Sequence, residues 1–260
     1  MSVRTYNPSV RVGNWNEDIQ LEEDTLKDFL ERKERGELLI QKSAALSDNA
    51  FSKVNLTISR DGKVHFGDII MLVNPEPKDK SRPASVLSLN GDSLTASTNV
   101  TPVNRTAFRV ISIDGSPEGS ALKYEQLFSL ASVQMNALLS SDRATFSKNF
   151  AKKSRHNAVM IGNPDPKLGE WKVKAYDPQF RMEMEYSDVM ANKKLILTHR
   201  TTNENLCVER DFLIRTPFGK EFEVSSFTKL NSHRAEEDVN HWMMQCSVPG
   251  DAIMPLSTSE

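Results

Sequence analysis

A mainly β chain, folded as a β-trefoil-like domain behind an N-terminal helical or extended arm, is what this 260-residue sequence predicts. Three observations predict it. From about residue 51 the apolar pattern alternates with period two in short runs separated by polar turns. No long helical period interrupts those runs, which excludes an alternating α/β fold. A segment also recurs three times. Phe66-Gly-Asp-Ile-Ile-Met-Leu72 aligns with Tyr124-Glu-Gln-Leu-Phe-Ser-Leu130, and a weaker copy, Lys193-Lys-Leu-Ile-Leu197, ends 67 residues after the second. Three similar units with insertions point to threefold β architecture.

The elements follow in order. Residues 1–50 form the arm, with one amphipathic helix. Val10 to Trp15 alternates apolar and polar positions and ends on an aromatic. Asn16 is the predicted N-cap, and the acids Glu17 and Asp18 suit the positive end of the helix dipole. Ile19, Leu26, Phe29 and Leu30 share one side of a helix running to Arg35. Glu23 with Lys27, Asp28 with Arg32 and Glu31 with Arg35 are i,i+4 pairs with the acid first. Gly36 stands where a helix exit needs a left-handed residue. Such a helix is marginal alone, so its narrow stripe is expected to dock on something.

Residues 51–247 form the predicted β domain and 248–260 a tail. Alternation at 54–59 predicts a first strand, and Asp61-Gly62 a hairpin turn before Val64. Further strands are predicted at 69–73, 86–89, 107–113, 121–130, 171–175, 180–186, 194–200, 206–208, 211–215 and 221–227. One or two helical turns are allowed for in 134–155. Asn240-His-Trp242-Met-Met244-Gln reads better as a core strand than as an interface.

Composition removes several functions. The 33 Lys and Arg nearly balance 35 Asp and Glu, a formal charge of −2, so no large basic excess exists to neutralise nucleic-acid phosphates. The N-terminus lacks the apolar run of a secretory signal, and no window approaches the length of a membrane span. A cytosolic protein with Cys207 and Cys246 reduced is the expectation, with no membrane partner.

Chemistry is sparse. His199, Cys207, His233, His241 and Cys246 are zinc-type ligands, but their spacings of 8, 26, 8 and 5 contain no paired knuckle, so no metal is expected. The sequence holds no G-x-S-x-G elbow, Walker A loop or G-x-G-x-x-G, and its carboxylates are scattered. No enzyme activity and no cofactor are expected.

Two features suggest binding. Residues 143–156 carry Arg143, Lys148, Lys152, Lys153 and Arg155 with two phenylalanines and no acid. This pattern suits a grip on an acidic protein surface, in other contexts on phosphates, or a solvated loop. Asn14 and Trp15 in the arm lie outside the predicted helix, where an aromatic can insert into a partner.

Val10-Arg-Val-Gly-Asn-Trp-Asn-Glu-Asp18, Leu21-Glu-Glu, Lys27-Asp-Phe-Leu30 and Leu38-Leu-Ile-Gln41 resemble the opening of the cilia- and flagella-associated protein 161 family. The likeness continues in His65-Phe-Gly-Asp68, Met71-Leu-Val-Asn-Pro75, Asp177-Pro-Gln-Phe-Arg181, Phe218-Gly-Lys-Glu221, Ser232-His-Arg234 and Asn240-His-Trp-Met243. It is collinear over residues 10 to 243 and less distinct over 76–170. The resemblance implies a structural microtubule inner protein of the axoneme, in the A-tubule lumen of ciliary and flagellar doublets. Its implied partners are the luminal faces of α- and β-tubulin and neighbouring inner proteins. It also implies a MIR-type trefoil and brings no catalytic residues. A cytosolic trefoil module that binds a carbohydrate or other ligand is the alternative.

Overall fold

Residues 15–77, 82–162 and 165–247 are described by the computed structural model, with the backbone alone at 15–18, 39 and 42–46. The extended segment expected before the helix, Asn14 and the expected tail at 248–260 lie outside those residues. The chain divides into two units, Met1–Asn49 and Ala50–Glu260.

The first unit is built from helices. Helix α1 (Trp15–Glu34) starts one residue before the expected cap, so Asn16 lies within its first turn instead of capping it. Trp15 likewise opens the helix and is not outside a periodic element. At the other end Gly36 adopts φ +71°, and the chain closes a Schellman motif: Glu37 N–H donates to Arg32 O at 2.8 Å and Gly36 N–H to Lys33 O at 3.2 Å. Asp28–Arg32 and Glu31–Arg35 form ion pairs at 2.9 and 3.2 Å. A second helix, α2 (Leu39–Phe51), corrects the expectation of one. It escaped notice because Leu38 occupies the cap position, where Ser, Thr, Asp or Asn is the usual signal. Gln41 substitutes by accepting from the Leu38 N–H at 3.4 Å while donating to Lys33 O at 3.0 Å.

The second unit holds twelve strands among the described residues. They are β1 (Ile69–Asn74), β2 (Ser85–Asn90), β3 (Ser93–Ser97), β4 (Ala107–Ser112), β5 (Leu127–Ser132) and β6 (Leu139–Ser141), then β7 (Asn157–Ile161), β8 (Trp171–Ala175), β9 (Lys194–His199), β10 (Leu206–Thr216), β11 (Gly219–Ser226) and β12 (Trp242–Gln245). Six of them close a barrel: β1 pairs β4, β4 pairs β5, β5 pairs β8, β8 pairs β9, β9 pairs β12 and β12 returns to β1, all antiparallel. Closure leaves these strands no free edge. The remaining six form hairpins β2–β3, β6–β7 and β10–β11, whose second strands pair with one another. A six-stranded barrel capped by three hairpins is a β-trefoil.

The pseudo-threefold axis is visible in single hydrogen bonds. Leu122 N–H donates to Val64 O at 2.8 Å, Val189 N–H to Leu122 O at 2.8 Å, and Val64 N–H to Val189 O at 3.0 Å, closing a ring. Three positions along, Gly67, Glu125 and Asn192 all take left-handed φ of +93°, +63° and +58°. Their amides donate to Val110, Val173 and Met244 O at 2.8–3.0 Å. Only glycine meets that backbone without a Cβ penalty, and asparagine tolerates it better than most. The buried core is filled in threes: Ile70, Phe128 and Leu195; Leu72, Leu130 and Leu197; Phe108, Trp171 and Trp242.

Several expected elements differ. The 54–59 alternation makes no regular strand; Lys53 and Ile58 form isolated bridges to Val103 and Ser247. Residues 180–186 turn instead, since Asp177 caps a 3₁₀ turn begun by Pro178 and α3 (Arg181–Met184) follows. Residues 134–155 contain β6 and no regular helix, with an i→i−4 turn closed by Arg155 N–H on Ala151 O at 3.2 Å. The runs at 206–208 and 211–215 are one strand, β10, bulged between Glu209 and Leu213.

Candidate functional site

The basic segment 142–156 joins β6 to β7 and is held in shape by its own hydrogen bonds. A tight turn at one tip has Thr145 N–H donating to Lys148 O at 2.9 Å, while the Thr145 hydroxyl accepts from Lys148 N–H at 3.2 Å. Asn157 accepts from Ala144 N–H at 2.8 Å, and Asn149 donates to Asp142 at 2.8 Å. At the second tip the buried Glu223 carboxylate, arriving from β11, accepts from Lys153 N–H at 2.9 Å and Ser154 N–H at 2.7 Å. Beneath them His156 stacks on Phe227 with ring centroids 3.7 Å apart.

The five basic side chains divide into two groups. Lys153 Nζ donates to Leu213 O at 2.5 Å, and the Arg155 guanidinium lies 4.5 Å over the Phe150 ring, so both are engaged within the fold. Arg143 reaches Thr201 O at 3.4 Å and remains exposed. Lys148 and Lys152 are exposed and their ammonium groups make no contact among the described residues. Phe146, at the tip of the first turn, is fully exposed. Sequence reading noted the interleaved phenylalanines but did not single out Phe146; its signal was its place outside any alternating run, between Thr145 and Ser147. Glu223 was missed because its partners lie about seventy positions away in the chain.

A second feature is a cleft of 760 Å³ lined by Tyr176, Arg210, Lys229, Glu236, Asp238 and His241 among others. It was illegible in the sequence because four distant segments build it: Pro77 with Arg82, 176–178, Arg210 and 229–241. Its charges largely answer one another: Arg181 meets Glu236 at 2.7 Å, Lys229 meets Glu237 at 3.4 Å, and Asp238 lies 3.2 Å from His241. Burial favours a raised Glu236 carboxyl, but the Arg181 guanidinium and a backbone N–H outweigh it and hold the group below its ordinary value. Burial, opposed by Asp238, lowers the His241 imidazole.

His199 and the two cysteines are occupied or inert. His199 Nε2 donates to Leu168 O at 2.9 Å, and burial lowers its pKa. Burial pushes the Cys246 thiol up to about 12 and Cys207 well above its usual range. A thiol held that far from thiolate is a poor nucleophile. Among the described residues no three His, Cys, Asp or Glu side chains converge on one point, and no helix is long and apolar enough to cross a membrane. In the arm, Ile19, Leu26, Phe29 and Leu30 are 46–60% exposed along α1.

Comparison with known proteins adds three findings. Residues 135–247, which include the basic loop, match the family described as cilia- and flagella-associated protein 161-like domain. The chain is 38% identical over 278 residues to cilia- and flagella-associated protein 161 of Danio rerio, spanning 98% of this chain and 92% of that one. With the Bos taurus protein of the same name the identity is 36%, spanning 96% and 84%. Among solved structures, the SDF2-like protein from Arabidopsis thaliana superposes with a TM-score of 0.52 at 16% identity, covering 72% of this chain and 98% of that one. That likeness shows the fold alone.

Proposed function

The chain belongs to the cilia- and flagella-associated protein 161 family, and from that premise we propose a non-enzymatic structural protein in the A-tubule lumen of axonemal doublet microtubules. Its partners in this reading are the luminal faces of α- and β-tubulin and neighbouring inner proteins. The family name associates its members with cilia and flagella, and the near-full-length identity to the zebrafish protein is the observation that carries the reading. The physical chemistry supports it. A net charge of −2 gives little long-range pull toward the acidic exterior of a microtubule. A protein enclosed in a polymer can instead rely on many modest contacts at high local concentration. A closed trefoil supplies a rigid body for such contacts, and a helical arm supplies reach.

Detergent extraction of motile cilia, followed by a salt wash and detection of the full-length protein, tests this. Retention in the axonemal pellet is expected; release into the detergent-soluble fraction contradicts it. The cleft favours a second reading, a cytosolic module that binds a carbohydrate or other small ligand in the 760 Å³ space. Uniform cytosolic distribution together with saturable glycan binding supports that alternative.

A further inference from the structure

We infer that the loop at residues 142–156 is the docking surface of the trefoil body, with Phe146 inserting into an apolar depression of an acidic protein surface while Lys148 and Lys152 face its carboxylates. The inference rests on the lattice role above and names the surface that serves it. Exposed phenylalanines on loops ordinarily fold back to shed water. Phe146 does not: it stands fully exposed within the turn that the Thr145 N–H closes on Lys148 O at 2.9 Å. A phenylalanine carries a large apolar ring on only two side-chain torsions, so it gains much buried area for little lost freedom when a partner covers it.

Charge selects the partner. Residues 143–156 contain five cations and no acid. The fold engages Lys153 and Arg155 and leaves the Lys148 and Lys152 ammonium groups without a contact among the described residues. Glu223 acts as a positioning residue: its buried carboxylate fixes the 153–154 amides and with them the turn that carries Lys152. The partner is an acidic protein and not a nucleic acid or lipid surface. The chain as a whole is slightly acidic, whereas polyanion binders carry a large basic excess.

The test replaces the endogenous protein in ciliated cells with full-length variants and measures the fraction kept in salt-washed axonemes. Phe146→Ser alone and the pair Lys148→Glu with Lys152→Glu should each lower retention about tenfold. The pair Lys148→Arg with Lys152→Arg should keep it, and all purified variants should melt as the parent does. Wild-type retention with either disruptive variant also retained overturns the docking assignment while leaving the lattice role standing. Loss of the wild type itself from axonemes overturns the lattice role. Binding of the wild type to phosphatidylserine vesicles or poly(U) RNA, abolished by the charge reversal while axonemal retention is unchanged, assigns the loop to a polyanion and overturns the inference.

Discussion

Trp171 and Trp242 occupy equivalent positions in two copies of the repeat, and each indole N–H donates to a carbonyl at the start of a hairpin in its own copy: Leu139 O at 2.8 Å and Leu206 O at 2.9 Å. Both rings are fully buried. In the remaining copy the equivalent residue is Phe108, which has no donor, and Arg105 Nε donates to Leu89 O at 3.0 Å. Two repeats thus tie the barrel to the start of their hairpin through an indole, while in the third an arginine from the 3₁₀ turn before β4 binds a carbonyl further along the hairpin.

The two indoles differ in one respect that is measurable. Leu206 O also accepts from Asn240 Nδ2 at 3.2 Å, so removing the Trp242 donor leaves that carbonyl a partner. Trp171→Phe should therefore cost more than Trp242→Phe, with the difference about 1–2 kcal/mol for a buried carbonyl stripped of its side-chain donor. Urea denaturation of both variants checks the order; equal losses contradict it.

Arg105 and Glu221 form a buried ion pair with both carboxylate oxygens 2.9 Å from Nη2, and Thr95 donates to the same carboxylate at 2.7 Å. The guanidinium lies 4.1 Å over the Phe218 ring. Burial lowers the Arg105 pKa, and Glu221 opposes that shift. Glu221→Ala strands a desolvated cation and should destabilise the domain by about 3–5 kcal/mol. Combining Arg105→Met with Glu221→Leu should recover most of that loss in thermal or urea melts, because the charge is removed along with its partner.

Much of this fold was legible in the sequence, and the parts that were not have physical reasons. Leu72, Leu130 and Leu197 were found as repeats because the core demands the same apolar residue at each turn of the axis. Strands β3, β6 and β7 were missed because they are short, and β3 and β6 are also rich in serine. Buried Ser88 and Thr95 bond each other, and Thr95 donates to Glu221, so their burial leaves no hydrophobic mark. In the candidate loop, Lys148 and Lys152 were legible as charge. The ordering of the loop was not, since Asn157 of β7 accepts from Ala144 N–H and Glu223 of β11 accepts from Lys153 N–H.

Acid should weaken the domain. His199 and His241 are both buried, and burial lowers both pKa values below the ordinary 6.5. Leu168 O, Thr202, Asp142 and Glu170 surround His199; Glu236 O, Asp238, Tyr176 and Lys194 surround His241. With folded values below the unfolded one, the unfolded chain binds the extra protons, so stability rises with pH across that window. Melts should therefore lose stability as pH falls through about 6.5, levelling once the folded histidines titrate. His199→Gln should flatten the profile; an unchanged slope contradicts the assignment.

Thiol chemistry offers an independent check. With burial pushing the Cys246 thiol up to about 12 and Cys207 well above its usual range, neither should react with iodoacetamide at neutral pH in the native state. Both should label in denaturant. Rapid native labelling of either cysteine contradicts the buried, inert thiols described here.

Side-chain-resolution imaging of intact doublet microtubules from motile cilia bears most directly on the structural role. A six-stranded barrel carrying the Trp171 and Trp242 indoles, with Phe146 against tubulin or a neighbouring protein inside the A-tubule, is the expected density. Doublets that contain the full-length protein by mass yet show no such trefoil inside that tubule contradict the account.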